Sequence, residues 1–313
     1  MKYLVVFALC ALLFTSNKVA IDNISQKNNG YIENDIEDED YSEKVFLKED
    51  DTNNPDNRIN DVDEYGDTLL FRDVFGEEYE CKINHQVPKK IYKDENFIYD
   101  GELLRYEDDE YTSRLGIDVS SFQGNVNYEK VKNAGFDFVI IRCGYRGYGN
   151  AGNLKQDKQF ENNITKAKEA GLDVGVYIYS QAINEGEAIE EAEFVLKLLN
   201  GRELELPIVY DPESVLDDVA RTDDVTPEQF TKNSVAFCDR IKKSGYDVMI
   251  YSNMLWEAFQ LDLSQLPKVP VWYADYETYP QTCYDFEFWQ YSNTGRVPGI
   301  DGETDLDIQI IRK

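Results

Sequence analysis

Residues 206–214 read LPIVYDPES, an apolar run that stops at two carboxylates, Asp211 and Glu213, with Pro212 between them. Leu206 to Tyr210 has the length and the β-branched, aromatic make-up of a buried strand, and a proline has no N–H with which to carry the ladder further. An extended chain turns residues i and i+2 to one side, so both acids leave the strand end together. Like charges placed that close raise the pKa of one partner, which sets a protonated acid beside a charged base. The plainer reading is an Asp-Pro turn with two solvated acids. The rest of the chain has to choose between them.

Working outward, the same grammar repeats from Leu115 onward. Strand-like runs are LGIDV, DFVIIR, DVGVYIYS, LPIVY, YDVMIYS, PVWYAD, FEFWQY and DLDIQII. Between the first six lie helical stretches: YEKVKNAG, LKQDKQFENNITKAKEAG, EGEAIEEAEFVLKLLNG, TPEQFTKNSVAFCDRIKKSG and NMLWEAFQL. Thr226-Pro227-Glu228 gives an N-cap with proline in the first turn, and Gly135, Gly171, Gly201 and Gly245 close helices. No helix follows the sixth strand. Eight strands with about five helices, beginning β-α-β-α, predict an irregular α/β barrel of the TIM type. An open doubly wound sheet is the structural alternative, but no GxGxxG loop follows the first strand, which argues against a dinucleotide site.

Before the barrel, three segments differ in composition. Residues 1–20, MKYLVVFALCALLFTSNKVA, have one lysine and then an apolar run too short for an ordinary membrane span, as in a signal peptide, so export is expected. No good cleavage site follows, and retention as an N-terminal membrane anchor is the alternative. Residues 21–65 are rich in Asp, Glu and Asn without a steady period, and read as an acidic disordered linker. Residues 66–114 form a small β-rich appendage: TLLFRDVF and EYECKIN alternate around Gly76 as a hairpin, and NFIYDGELLRY adds another short strand. So short a piece rarely has a core of its own and should pack against the barrel of residues 115–313.

Composition removes several chemistries. The formal charge is −29, with 61 acids against 32 lysines and arginines, which argues against nucleic acid, because phosphate binding needs a basic surface. The single histidine, His85, precedes the barrel, so no Ser-His-Asp, Cys-His or histidine-bearing zinc site can form within residues 86–313. Cys81, Cys143, Cys238 and Cys283 make no close pair, and Cys143 and Cys238 read as buried thiols. No calcium loop and no cofactor motif is present. Carboxylates remain as the agents of any reaction.

A barrel places its active residues at the C-terminal ends of the strands. The acids there are Asp118, Asp211 with Glu213, and Asp275; Asp305 and Asp307 instead begin the last strand. Gln123, Tyr177, Tyr179, Tyr251, Asn253, Trp272, Trp289 and Gln290 accompany them. Acids lined by aromatic faces suit a sugar cleft, although each aromatic singly could equally be core packing.

At these residues a resemblance enters. GIDVSSFQG (116–124), GVYIYS (175–180), VYDPE (209–213), MIYSN (249–253), VWYADY (271–276), FWQYSNTG (288–295) and TDLD (304–307), in order, resemble the family 25 glycoside hydrolases, muramidase-type lysozymes of bacteria, phages and fungi. The resemblance covers Leu115 to Lys313. It implies a distorted α/β barrel that cleaves the β-1,4 bond between N-acetylmuramic acid and N-acetylglucosamine in peptidoglycan. It puts the acidic pair on Asp211 and Glu213 and the first-strand aspartate on Asp118. The fourth acid falls on Asp305, in a pattern that usually reads Asp-x-Asn and here ends in Asp307. Nothing in residues 1–114 is covered by it, and no protein partner is implied.

Glu213 is expected to protonate the leaving oxygen. Same-face neighbours on a strand lie about 6.5 Å apart at Cα, poorly placed to flank opposite faces of a sugar. Substrate assistance, with the 2-acetamido oxygen attacking and Asp211 stabilising the charged ring, is therefore preferred to a direct Asp nucleophile. Two other classes compete: a chitin-type glycosidase and a glycan-binding barrel without catalysis.

Overall fold

The computed structural model describes residues 67–215 and 219–313; the signal-like segment 1–20 and the acidic stretch 21–65 lie outside the described residues. Two antiparallel hairpins come first. β1 (Thr68–Arg72) pairs with β2 (Glu78–Lys82), and β3 (Phe97–Asp100) with β4 (Leu103–Tyr106). They turn through Gly76 and Gly101, whose φ of 81° and 64° suit glycine. The stretch NFIYDGELLRY thus makes two strands, because Gly101 lets it fold back on itself.

The barrel runs β5 (Tyr111–Val119), α1 (Tyr128–Asn133), β6 (Phe138–Arg146), β7 (Leu154–Gln156), α2 (Phe160–Glu169), β8 (Asp173–Ser180), α3 (Glu185–Leu199) and β9 (Ile208–Pro212). It continues with α4 (Pro227–Lys242), β10 (Val248–Asn253), α5 (Met254–Phe259), β11 (Val271–Ala274), β12 (Phe288–Gly295) and β13 (Thr304–Arg312). Eight strands close a ring in the order β5, β6, β8, β9, β10, β11, β12, β13, and β13 pairs back onto β5. All neighbours are parallel except at β13, which runs antiparallel to both β12 and β5. This reversal brings the start of the last strand to the same rim as the ends of the others, with Asp305 directly opposite Asp118.

Two readings shift in detail. The first barrel strand reaches back to Tyr111, before the regular alternation at Leu115. The helix expected over 154–171 begins only at Phe160, because Leu154–Gln156 pairs with Gly144–Arg146. Asp157 then forms a buried ion pair with Arg142 at 2.8 Å, which anchors the chain to β6 before it turns into α2.

Alternate strand residues fill the interior: Phe138 and Ile140, Tyr177, Val209, Met249 and Tyr251, Trp272 and Phe288 form one enclosed cluster. Gly116 belongs to this layer, and a Cβ there would stand 2.1 Å from the Phe138 ring. The outward residues form a second, larger core with the helices and the hairpins, including Phe97, Tyr106, Tyr210, Phe237 and Trp289. Cys143 and Cys238 are buried free thiols within it, and His85 sits at the surface against Asp67.

Candidate active site

The site is built where the inward residues reach the C-terminal rim. On β9 the alternation that turns Tyr210 outward, onto the Phe237 ring at 4.5 Å, turns Val209 and Asp211 inward. Pro212 is the last strand residue, and Glu213 lies just beyond, half-buried. Asp211 is buried and sits beside Tyr179 of β8 in the sheet register. Asp118, on β5, is also buried; its Oδ2 accepts a hydrogen bond from Gln290 Nε2 at 2.8 Å. Asp305 is half-buried across from it.

Below these acids lies an aromatic floor. Trp272 meets Tyr251 and Tyr177 edge-on, with ring centres 4.9 and 6.0 Å apart. The Tyr251 and Tyr276 hydroxyls both donate to Gln290 Oε1, at 3.0 and 2.9 Å, which fixes the amide so that its N–H₂ faces Asp118. Electrostatics places the four acids together. The Tyr251 phenol is raised well above its ordinary pKa by burial and then by the charges of Glu213, Asp211 and Asp118. Tyr276 is raised by burial and then by Asp305, Glu213 and Asp118. Two neighbouring hydroxyls therefore feel all four carboxylates.

Other residues named from the sequence have different duties. Gln123 reaches back to the Ser120 N–H at 2.8 Å and completes a capping box under the turn after β5. Asn253 is the N-cap of α5, its Oδ1 accepting from Trp256 N at 3.2 Å. Asp275 is engaged by Tyr273 Oη at 2.7 Å and Gln281 N at 2.9 Å, and burial pushes it up to about 6 despite these donors. Trp289 is a correction. Phe288 and Gln290 face the interior, so the residue between them faces out, where Trp289 is fully buried against Phe97 and donates to the Asp275 carbonyl.

Two residues that sequence reasoning passed over complete the rim. Tyr276 is the last residue of VWYADY, one step past its aspartate. Gln181 comes directly after GVYIYS and is fully buried. Its Nε2 donates to the Glu213 carbonyl at 2.7 Å while its Oε1 accepts from Thr222 Oγ1 at 2.8 Å. Arg221 forms a forked pair with Glu187 at 2.7 and 2.8 Å and donates to the Gln181 carbonyl. These bonds hold both ends of the loop that carries Glu213. Among the described residues, no group of three or more His, Cys, Asp or Glu is arranged to hold a metal ion.

Comparison with known proteins identifies the family of the barrel. The sequence model of the family described as glycosyl hydrolases family 25 matches residues 117–300. The chain is 30% identical over 193 residues to an autolytic lysozyme of Clostridium acetobutylicum, covering 61% of this chain and 54% of that protein. It is 30% identical over 200 residues to lysozyme M1 of Streptomyces globisporus, covering 61% of this chain and 65% of the relative. The chain thus matches between half and two-thirds of the length of these relatives. In fold it is similar to a family 25 glycosyl hydrolase from Bacillus anthracis, with a TM-score of 0.54 at 23% identity over 67% of this chain and 94% of the other.

Proposed function

The chain belongs to the glycosyl hydrolases of family 25, and from that premise we propose that it is a lysozyme that hydrolyses peptidoglycan at the β-1,4 bond between N-acetylmuramic acid and N-acetylglucosamine. The observation that carries this reading is the meeting of Asp118, Asp211, Glu213 and Asp305 on one rim, around the shared Tyr251–Tyr276–Gln290 cluster. A binding module has no evident need for four converging acids above an aromatic floor.

Glu213 is the general acid. It is the least enclosed member of the strand-end pair, beyond the last sheet bond, and its backbone is held by Gln181. Its proton passes to the glycosidic oxygen as the bond to the anomeric carbon breaks. The substrate's own 2-acetamido oxygen attacks that carbon, and Asp211 stabilises the positive charge that develops. Water then opens the cyclic intermediate and the proton returns to Glu213. Asp118 and Asp305 line the opposite side of the rim and orient the sugar. The signal-like N-terminus supports an exported enzyme acting on glycan strands outside the membrane.

Isolated cell walls test the reading. The wild-type protein should release reducing ends, and mass spectrometry should find N-acetylmuramic acid at them. Glu213→Gln should lower kcat by roughly a hundredfold or more. Undiminished turnover in that variant removes Glu213 from the acid role. Rapid cleavage of glycan lacking the N-acetyl group would replace substrate assistance by direct attack from an aspartate.

A further inference from the structure

One buried carboxyl has no task in the proposed mechanism. Asp307 is fully enclosed on β13, between Gly116 of β5 and Gln290 of β12 in the sheet register. Its Oδ1 accepts the indole N–H of Trp272 at 2.8 Å. Its Oδ2 is also sealed from solvent and has no donor among the described residues. What stands beside it is the carboxyl of Asp118. The donors around the pair are already committed. Trp272 serves Asp307, Gln290 Nε2 serves Asp118, and the Tyr251 and Tyr276 hydroxyls point to Gln290 Oε1. Two carboxyls in contact inside a barrel repel unless a proton lies between them.

We propose that Asp307 works as a carboxylic acid whose O–H donates to Asp118, making it a positioning residue that holds Asp118 in place at the rim of the cleft, and that loss of this proton switches the site off. This rests on the lysozyme reading. The proton belongs on Asp307 because that carboxyl is completely enclosed, whereas Asp118 lies at the rim and takes a donor from Gln290. Burial is the largest cause and raises Asp307 to about 7, against the pull of the Trp272 hydrogen bond. The titratable groups that face the pair are Tyr291 from β12, Tyr251 from β10 and Tyr276 after β11; Asp305 shares β13, and Asp211 and Glu213 complete the rim. Ionising Asp307 would set a second charge against Asp118 with no new donor to absorb it, and Asp118 would turn away from its position.

Asp307→Asn is the decisive variant. An asparagine is the neutral isostere of the protonated acid: its oxygen can take the Trp272 N–H, and its amide can donate to Asp118 at every pH. The expected result is wild-type kcat at pH 5.5, with the fall in kcat that wild type shows above pH 7 moved upward by a pH unit or more. Asp307→Leu removes the donor and should lower kcat roughly tenfold or more, with KM little changed. A folded Asn variant with little activity, or one whose pH profile matches wild type, overturns the proposal. Carboxyl-carbon NMR of the wild-type protein separates this outcome from failure of the lysozyme reading. A side-chain signal that keeps its proton to near pH 7 and is absent from the Asn variant supports the proposal even if no wall is cleaved. A signal titrating near 4 overturns it even if wall is cleaved.

Discussion

From β6 round to β10 the outer face of the barrel rests on helices, with α2 against β6 and β8, α3 against the same pair and α4 against β9 and β10. From β11 round to β5 the outer face rests on the N-terminal hairpins instead. Phe97 packs edge-on against Trp289 with ring centres 5.2 Å apart, Tyr92 meets Phe286 at 5.2 Å, and Tyr99 meets Tyr291 at 6.3 Å. The backbone N–H of Leu104 donates to Tyr291 Oη at 3.3 Å, and Gln281 bonds both the N–H and the carbonyl of Arg72. A strand that is apolar on both faces must be covered on both. Where β-α-β-α regularity lapses after β11, the segment preceding the barrel supplies the missing layer. The appendage is therefore part of the barrel's core rather than a module beside it.

The hardest way to break this comparison is to remove one cover. A chain starting at Tyr111 would expose Trp289, Phe286 and Tyr291 together, and it should fail to unfold cooperatively or should precipitate, as followed by near-ultraviolet circular dichroism on heating. A truncated chain that melts as sharply as the longer one, at the same temperature, would show the hairpins to be dispensable. Single residues sharpen the same point. Phe97→Ala on the hairpin side and Phe237→Ala on the helix side each delete a buried ring and should each cost about 3–5 kcal/mol in denaturant unfolding. Similar losses would make the two covers equivalent. A Phe97→Ala loss well under about 1 kcal/mol would mark the hairpin as loosely attached.

The same contrast explains how much of the molecule was legible in its sequence. Runs such as VYIYS and MIYSN were legible because burial on both faces leaves them mostly aliphatic and aromatic, and the turns between the strands carry glycine and proline. The rim acids Asp118, Asp211 and Glu213 were legible because each ends such a run. Inside FWQ, however, the sequence does not say which neighbours face in. Only the register of β12 with β13 turns Gln290 to the cleft and Trp289 to the hairpins. Tyr276 and Gln181 lie just past strand ends, where no period operates. The contact of Asp307 with Asp118 depends on β13 running backward, which the eight apolar runs do not reveal. Nor did the alternation in residues 68–106 name the strands those side chains would cover.

The finest difference between the two sides is what stands beside a buried acid. On the helix side Glu191, enclosed on α3, has Arg146 at 2.7 Å and Ser180 Oγ at 2.7 Å, and burial still pushes it up to about 7 against their pull. On the hairpin side Glu257, on α5, takes the Thr282 hydroxyl at 2.6 Å, and burial pushes it up to about 8, with the Asp275 charge adding to the rise and Lys89 opposing it. The folded pKa lies above the unfolded value, so the folded protein holds a proton that the unfolded chain releases near 4.5. The contribution is whole below about pH 4.5 and falls as pH rises toward about 8, by about 1.4 kcal/mol per unit at most. Glu257→Gln keeps the shape and an acceptor for Thr282 without the ionisation. It should match wild type in urea unfolding at pH 5 to within about 1 kcal/mol, and should exceed it at pH 8. Equal stability at pH 8 would mean that Lys89 fully compensates the ionised Glu257.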